Sequence, residues 1–288
     1  DVIDRIAELE PHRRAMVWTD EHGAERTFTF ADFSEASNRV ANMLYAKGIR
    51  KGDKVMLVLK RHYEFWFSIL ALHKIGAVTI PATNLLTTKD VAYRIEAAHV
   101  KGIACTATCE ISRYVEEAEK KTGDILPVKI LARGEREGWD SFDELYEHYS
   151  SVWERADTNV NDDMLLYFTS GTTGNPKMVV HSHYYAIYHL MTAHSWHNVD
   201  PEGLHLSLAE TGWGKAAWGK LYGQWFLGAG LFVYDFDKFV PSELLHLIEK
   251  YRITTFCAPP TMYRMLIKED LSHYDLSSIE HATIAGEA

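Results

Sequence analysis

Cysteines and long apolar runs are both scarce in this sequence. It contains three cysteines among 288 residues, an odd and sparse set that excludes a disulfide framework and favours a reducing compartment. The most apolar stretch, residues 65–80, is interrupted by His73 and Lys74 and is shorter than the roughly 20 residues that a membrane-spanning helix needs. The first ten residues are polar and lack a signal-peptide pattern. We therefore expect a soluble, cytoplasmic protein without a membrane span.

Basic residues are fewer than acidic ones. The chain carries 30 Lys and Arg against 40 Asp and Glu, which gives a formal net charge of −10. A surface of this sign argues against a nucleic-acid partner, whose phosphates need a basic face. A small anion is still compatible with it, because a loop of backbone N–H groups creates a local positive site. With 47% hydrophobic and 24% charged residues, the chain has the composition of a globular protein with a real core.

Amphipathic segments alternate with short, apolar, β-branched runs, a pattern that indicates βαβ units and largely parallel sheets. We therefore predict an α/β fold. The predicted strands are residues 54–59, 77–80, 102–107, 128–131, 164–168, 178–181, 231–234, 254–257 and 281–285. The predicted helices are one that begins after its N-cap Thr29 and closes at Gly48, then residues 63–75, 88–99, 111–121, 141–149, 184–196, 213–226, 242–251 and 261–269.

The most informative stretch is residues 169–177, which join one apolar run to another. Glycine lets a backbone approach a polyphosphate closely, hydroxyl groups can donate to phosphate oxygens, and a lysine can neutralise charge. Taken without context, the same composition also suits a plain turn. The stretch offers four hydroxyls, two glycines and one lysine: Thr169, Ser170, Gly171, Thr172, Thr173, Gly174 and Lys177.

The spacing differs from that of the phosphate loop of kinases and GTPases. That loop has four residues between its glycines, followed by Lys and Ser or Thr at the start of a helix. Here two residues separate Gly171 from Gly174, and Pro176 precedes Lys177. The apolar residues 178–180 favour a strand, so we predict a loop between two strands.

This loop resembles the phosphate-binding signature of the adenylate-forming (AMP-binding) superfamily, which includes acyl-CoA synthetases, firefly luciferase and the adenylation domains of nonribosomal peptide synthetases. Met178 stands where the family usually has glycine, a variation that resembles the medium-chain acyl-CoA synthetases; the wider pattern is also similar to acetyl-CoA synthetase. The likeness covers nearly the whole chain. It includes residues 27–30, 52–55, 210–213, 227–230 and 258–261.

The resemblance implies two stacked α/β lobes with flanking helices, at approximately residues 51–195 and residues 1–50 plus 196–288, with the phosphate loop at their junction. The sequence stops just after a predicted strand. We therefore expect residues 1–288 to be a partial N-terminal AMP-binding domain without the C-terminal lid domain that the family carries.

The resemblance also implies three groups of site residues. The seven loop residues listed above would bind the phosphates of ATP. Thr211, Gly212 and Trp213 would line the acyl pocket, with Trp213 as an apolar wall. Lys215, two residues further on, is unexpected near an apolar pocket. It either points to solvent or favours a substrate with an extra negative group, and the second hypothesis fails if Lys215→Leu leaves acid preference unchanged. The adenine and ribose side would be lined by Gly286, Glu287 and Ala288.

The family reaction is the activation of a carboxylic acid, here expected to be a fatty acid, by ATP and Mg²⁺ to an acyl-adenylate, followed by thioester formation with CoA. The catalytic lysine belongs to the lid domain, so no catalytic residue is expected in this chain. Two alternatives within the superfamily are a peptide-synthetase adenylation domain and an aryl-CoA ligase. An alternative of another class is a non-catalytic nucleotide-binding module.

Histidines near the loop suggest a second interpretation. His181 and His183 form an H-x-H pair, which on a strand can chelate zinc. However, no cysteine or acidic residue joins them at a fixed spacing. We therefore predict no protein-bound metal site, and we interpret the histidines as capping or surface groups.

Overall fold

The computed structural model of the protein describes residues 2–169 and 174–286. Its strands are β1 (Arg14–Asp20), β2 (Glu25–Thr29), β3 (Lys54–Val58), β4 (Val78–Pro81), β5 (Val100–Thr106), β6 (Val128–Ala132), β7 (Asp140–Ser141), β8 (Asp163–Thr169), β9 (Lys177–Ser182), β10 (Leu204–Ser207), β11 (Gly230–Asp235), β12 (Thr255–Ala258) and β13 (His281–Ile284).

The α-helices alternate with these strands, as the sequence pattern predicts. They are α1 (Val2–Leu9), α2 (Phe30–Ala46), α3 (Glu64–Ile75), α4 (Thr88–Ala98), α5 (Ile111–Thr122), α6 (Phe142–Leu145), α7 (Tyr184–Met191), α8 (Gly214–Gly219), α9 (Tyr222–Phe226), α10 (Pro241–Tyr251) and α11 (Pro260–Leu266). Short 3₁₀ turns cover Tyr146–His148 and Leu271–His273, and one π-helical turn covers Thr192–Trp196. Within the described ranges, no helix is both long and apolar enough to cross a membrane.

The chain folds as two compact units. The first unit comprises Asp1–Asp32, Ala186–Glu210 and Lys215–Ala288, and the second comprises Phe33–Tyr185 and Thr211–Gly214. Compared with the predicted lobes, these units assign residues 33–50, 186–195 and 211–214 differently. Three helices, α2, α7 and α8, contain residues of both units.

The first unit is built on a six-stranded sheet with the order β13-β12-β10-β11-β1-β2. All its neighbouring strands pair in parallel except β1 and β2, which form an antiparallel pair. Apolar residues from the sheet and from α10 and α11 form its core, in which Leu206, Phe232 and Leu244 are fully buried.

The second unit is built on a seven-stranded sheet with the order β7-β6-β5-β3-β4-β8-β9. Its strands are parallel apart from the antiparallel pair β8–β9. Residues of α4 and α5 pack on β3, β4 and β5 in the core, with Val91, Ile103 and Val115 fully buried. The predicted α/β fold with largely parallel sheets is therefore confirmed.

Local chemistry accounts for several helix boundaries. Thr29 Oγ1 accepts from the Asp32 N–H at 3.1 Å, and the Asp32 carboxylate accepts from the Thr29 N–H at 2.7 Å. This reciprocal capping box confirms Thr29 as the N-cap, and α2 begins at the next residue, Phe30. At its C-terminal end, α3 ends at Gly76, whose φ of 78° is left-handed and favours glycine.

The predicted single helix 213–226 is wrong: the structure has two short helices, α8 and α9. The break falls at Lys220 and Leu221, where Leu221 has the non-helical φ of −150° and ψ of −83°. Gly223, inside α9, lets that helix approach α7 and the π-helical turn that follows it. A Cβ at Gly223 would lie 2.1 Å from the His189 carbonyl oxygen and 2.7 Å from the Ala193 Cβ. Only glycine fits so close a contact between the two helices.

Other predicted helices are shorter or less regular than expected. The predicted helix 184–196 is α-helical only to Met191 and continues as the π-helical turn. The predicted helix 141–149 is one turn of α-helix followed by a 3₁₀ turn. The sequence pattern does not predict α1, β1, β2, β7 and β10.

The carboxylate of Glu116 makes a bidentate ion pair on the second unit. Arg136 donates to its two oxygens at 2.6 and 2.8 Å, and Trp139 Nε1 donates at 3.1 Å. Chiefly because of the hydrogen bonds from Arg136, the pKa of Glu116 falls from 4.5 to about 2. A lowered folded-state pKa stabilises the fold above the unfolded pKa, and this contribution disappears as the pH falls through the folded value.

We therefore predict that Glu116→Gln lowers the free energy of unfolding by about 1 kcal/mol at pH 7, since the pair is partly exposed. The deficit relative to wild type should shrink as the pH falls from about 4.5 towards 2. Urea unfolding at a series of pH values measures it. Glu137→Gln, at an exposed neighbour, is the control and should show no such dependence. A deficit that is constant over this range would contradict the assignment.

Candidate active site at the carboxyl edges of the sheets

The predicted phosphate loop connects the two strands of a hairpin. In the antiparallel pair β8–β9, Thr169 is the partner of Lys177, and Thr169 Oγ1 donates to the Lys177 carbonyl oxygen at 3.4 Å. The prediction of a loop between two strands is therefore confirmed. Four of the predicted phosphate-binding residues, Ser170, Gly171, Thr172 and Thr173, lie outside the described residues.

The far end of the loop is held by α4. Tyr93 donates from its hydroxyl to the Pro176 carbonyl oxygen at 2.9 Å. The Tyr93 ring also contacts the Phe168 ring edge-to-face, with centroids 6.0 Å apart. The Arg94 guanidinium carbon lies 4.9 Å from the centre of the same Phe168 ring. Contacts on both sides of the loop thus fix the positions from which it leaves and rejoins the sheet.

Two described loop residues have properties that suit an anion. Gly174 has a φ of 133°, in a region that favours glycine, although a Cβ there would meet nothing within 4 Å. The requirement for glycine is therefore conformational rather than steric. Lys177 is exposed and has no ion pair with another residue in the part of the chain that the structure describes, so no described carboxylate competes with an anion for its ammonium group.

Sheet topology places this loop at a particular edge. In the second unit β4 lies between β3 and β8, and it is parallel to both. The carboxyl ends of these three strands therefore meet at one edge, which is where parallel α/β sheets bind ligands. The loop begins at the carboxyl end of β8. Lys60 follows β3 at this edge, and Ala82 and Thr83 follow β4.

The segment Thr211–Gly214 belongs to the second unit and lies on the ends of β3 and β4. Thr211 is 1% exposed, and its hydroxyl donates to the Lys60 carbonyl. At Gly212, a Cβ would lie 2.3 Å from the carbonyl carbon of Ala82 and 2.3 Å from the nitrogen of Thr83. Only glycine fits such a close approach of two backbones.

Trp213 follows directly and is 56% exposed. An indole at this exposure can serve as an apolar wall for a ligand. The structure therefore brings two of the three predicted groups of site residues to one edge of one sheet: the phosphate loop on β8 and the Thr211–Trp213 segment on the neighbouring strands β4 and β3.

The third predicted group follows β13 in the first unit. Gly286 has a φ of 107° and comes just after the carboxyl end of that strand, whereas Glu287 and Ala288 lie outside the described residues. The ammonium group of Lys215 donates to the Ala285 carbonyl oxygen at 2.5 Å. One of the three donors of this ammonium group is therefore used by the protein backbone, and the expectation that Lys215 favours a substrate with an extra negative group stays a prediction.

Sequence reasoning missed the residues that support the site. Lys60 has a φ of 48°, an unusual conformation for a lysine that nothing in the local sequence indicates. Tyr93 lies on the predicted helix 88–99, where an aromatic residue suggests only a packed face. Both supporting roles depend on contacts between distant parts of the chain.

The histidine pair beside the loop packs among aromatic rings. The His181 ring lies 4.2 Å from that of Tyr185 and 6.0 Å from that of Tyr167, and the His183 ring lies 6.0 Å from that of His73. Burial lowers the pKa of both His181 and His183, which favours neutral imidazoles. Among the residues described, no three His, Cys, Asp or Glu side chains are grouped so as to hold a metal ion.

The fold is that of a family of AMP-binding enzymes. The family model described as "AMP-binding enzyme" matches residues 3–288, and the chain belongs to that family.

Curated relatives are similar over the whole of this chain. Human acyl-coenzyme A synthetase ACSM3, mitochondrial, is 32% identical over 295 residues, which cover 100% of this chain and 50% of that protein. Rat acyl-coenzyme A synthetase ACSM5, mitochondrial, is 34% identical with the same two coverages. The chain thus spans about half the length of the curated relatives it matches.

Solved structures share the fold. The anthranilate CoA ligase AuaEII, in complex with anthranoyl-AMP, superposes with a TM-score of 0.88 at 24% identity, over 100% of this chain and 55% of that one. An acyl-CoA synthetase from Brucella canis superposes with a TM-score of 0.83 at 24% identity, over 93% and 49%.

The close approach at Gly212 leads to a prediction. Gly212→Ala places a methyl group 2.3 Å from the backbone of Ala82 and Thr83, so the segment must shift, and we expect the free energy of unfolding to fall by about 1–3 kcal/mol. Denaturant unfolding measures the change.

Gly214→Ala is the matched control, because a Cβ at Gly214 meets nothing within 4 Å. Since Gly214 begins α8, alanine there should be neutral or stabilising by up to about 1 kcal/mol. Equal destabilisation by the two substitutions would show that the contact between residue 212 and the end of β4 has no special role.

Proposed function

We propose that this chain, as part of a longer polypeptide, activates a carboxylic acid with ATP to form an acyl-adenylate and then transfers the acyl group to the thiol of CoA. The reaction makes the full protein an acid–thiol ligase that forms AMP. The observation that carries the proposal is that Thr169, at the carboxyl end of β8, and the Thr211–Trp213 segment, on the ends of β3 and β4, lie at one edge of one sheet. Membership of the AMP-binding family and the names of the relatives support it.

In the first step a carboxylate oxygen of the acid attacks the α-phosphorus of ATP, and the bond to the β-phosphate oxygen breaks to release pyrophosphate. The protein contributes positioning and charge neutralisation for the leaving pyrophosphate. Among the described residues, the Lys177 ammonium and the Thr169 hydroxyl can perform these roles. Ser170, Gly171, Thr172, Thr173 and Gly174 complete the proposed phosphate-binding set.

Magnesium is expected to accompany the nucleotide. The loop 169–177 contains hydroxyl groups and an ammonium group but no carboxylate, a donor set that suits phosphate oxygens better than a divalent cation. We therefore propose that Mg²⁺ would be held by ATP rather than by this loop and would neutralise phosphate charge, and that its protein carboxylate ligand, which the resemblance to the family places later in such chains, comes from the polypeptide beyond this chain. The lid domain and its catalytic lysine are assigned to that same part.

In the second step the CoA thiol sulfur forms a bond to the acyl carbonyl carbon, and AMP leaves. We propose that Thr211, Gly212 and Trp213 form one side of the acyl pocket, since the exposed indole of Trp213 provides apolar surface at little cost in conformational entropy. Gly286, Glu287 and Ala288 are proposed to contact the adenine and ribose side of the nucleotide.

The acid is proposed to be a fatty acid, because the relatives are named acyl-coenzyme A synthetases. We also propose a cytoplasmic location, which the sparse set of three cysteines supports. The names of those relatives, in contrast, place the relatives themselves in mitochondria.

Acid-dependent exchange of pyrophosphate into ATP by the full-length protein tests the proposal most simply. We expect exchange with at least one member of a panel of fatty and aromatic acids. Lys177→Met should raise the KM for ATP about tenfold, the size expected for loss of one charge-assisted hydrogen bond. Lys89→Met, at another exposed lysine of the second unit, is the control and should leave this KM unchanged.

The acid panel also separates the alternatives. No exchange with any acid would contradict adenylate formation and favour a non-catalytic nucleotide-binding module. Exchange with amino acids and without any CoA effect would favour a peptide-synthetase adenylation domain. A strong preference for benzoate-like acids would favour an aryl-CoA ligase.

The proposed acyl wall gives a second prediction. Trp213→Ala should raise the KM for the preferred acid about tenfold, because it removes apolar surface from the pocket, and should change the KM for ATP by less than about twofold. Trp213→Phe should recover most of the loss. An equal effect on the two KM values would contradict a role for Trp213 on the acyl side.

A further inference from the structure

Lys215 lies at the carboxyl end of the last strand of the first unit. It is the second residue of α8, and its partly buried ammonium group donates to the Ala285 carbonyl oxygen at 2.5 Å. The Cδ and Nζ atoms of Lys215 lie 3.8 Å from the position that a Cβ would take at Gly286. The lysine side chain therefore runs directly alongside the backbone of residues 285–286.

Strand β13 has little support from its own sheet. It has four residues, lies at the edge of the sheet and, among the described strands, pairs with β12 alone. Other elements supply additional contacts: the Tyr263 hydroxyl donates to the Thr283 carbonyl oxygen at 3.0 Å, and the Thr283 hydroxyl pairs with His197 Nδ1 at 3.2 Å.

His197 contributes to this support as a neutral ring. Burial, with smaller contributions from Lys215 and nearby histidines, lowers the pKa of His197 to about 4. Its contact with Thr283 is therefore unaffected by pH near neutrality. Lys215, in contrast, acts two residues further along, on the peptide that joins Ala285 to Gly286.

That peptide needs a fixed orientation. Ala285 makes the last ladder-like bond of the strand, from its N–H to the Ala258 carbonyl oxygen at 3.2 Å. Gly286 then takes a φ of 107°, where glycine has wide conformational freedom. Because a trans peptide holds its C=O and N–H on opposite sides, a hydrogen bond from Lys215 to the Ala285 oxygen also directs the Gly286 N–H away from the lysine.

We propose that Lys215 is a positioning residue for nucleotide binding: it holds the peptide between Ala285 and Gly286 and so sets the direction of the Gly286 N–H. The proposal rests on the proposed function, in which Gly286 contacts the nucleotide. The hypothesis that Lys215 selects acids with an extra negative group stays a separate prediction, because an ammonium group has three donors.

The test uses the full-length protein with Lys215→Met, which keeps the length and apolar stem of the side chain but removes the ammonium group. We expect the Kd for ATP, measured by calorimetry without acid, to rise about tenfold, as for the loss of one charge-assisted hydrogen bond. The KM for ATP should rise by a similar factor, whereas the KM for the acid should change by less than about twofold. Amide hydrogen exchange in residues 281–286 should become faster.

Two further variants keep the test interpretable. Lys215→Arg retains a charged donor and should recover part of the affinity for ATP. Lys268→Met changes an exposed lysine of the same unit and should leave the Kd for ATP and the hydrogen exchange of residues 281–286 unchanged.

An unchanged Kd for ATP in Lys215→Met would overturn the proposal, and so would a change in acid preference with ATP binding intact. The proposed function and the positioning role of Lys215 can fail separately. If the wild-type protein binds ATP but performs no acid-dependent exchange, the proposed function fails, while a weaker ATP affinity together with faster exchange at residues 281–286 in Lys215→Met still supports the positioning role.

Discussion

The parallel pairing of β3, β4 and β8 is the constraint on which the candidate site of the second unit depends. Because the three strands run in one direction, the residues that follow each of them emerge at the same edge. The hydroxyl- and glycine-rich loop follows β8. The ends of β3 and β4 provide the backbone on which Thr211 and Gly212 rest. If any one of these strands ran in the opposite direction, the residues that follow it would lie at the other edge of the sheet.

Much of the fold could be predicted from local patterns. Caps and left-handed glycines mark the ends of helices such as α2 and α3, and the spacing of Gly171, Gly174 and Pro176 indicates a loop between strands. These signals are local, because a capping box or a glycine turn involves residues only a few positions apart. The missed strands lacked such signals. β10 contains His205, which is buried and pairs with the Thr255 hydroxyl at 2.8 Å, so burial on both faces hides the alternation that predicts a strand.

The supports of the site could not be predicted for a related reason. Tyr93 and Pro176 are 83 residues apart, Lys60 and Thr211 are 151 apart, and Lys215 and Ala285 are 70 apart. The acceptor in each contact is a backbone carbonyl oxygen. Every residue has one, so the residue type at that position does not indicate the contact. The donors, a tyrosine, a threonine and a lysine, are common residue types with many other uses. Their roles become visible only when the sheets bring them to the carboxyl edges.

The central claim is that the loop between β8 and β9 binds the triphosphate of a nucleotide. A crystal structure of the complete polypeptide with bound ATP tests this most directly. We predict that the β- and γ-phosphate oxygens lie within hydrogen-bonding distance of the loop 169–177, including Thr169 and Lys177. Phosphates bound at any other place on the protein, with this loop unoccupied, would contradict the account.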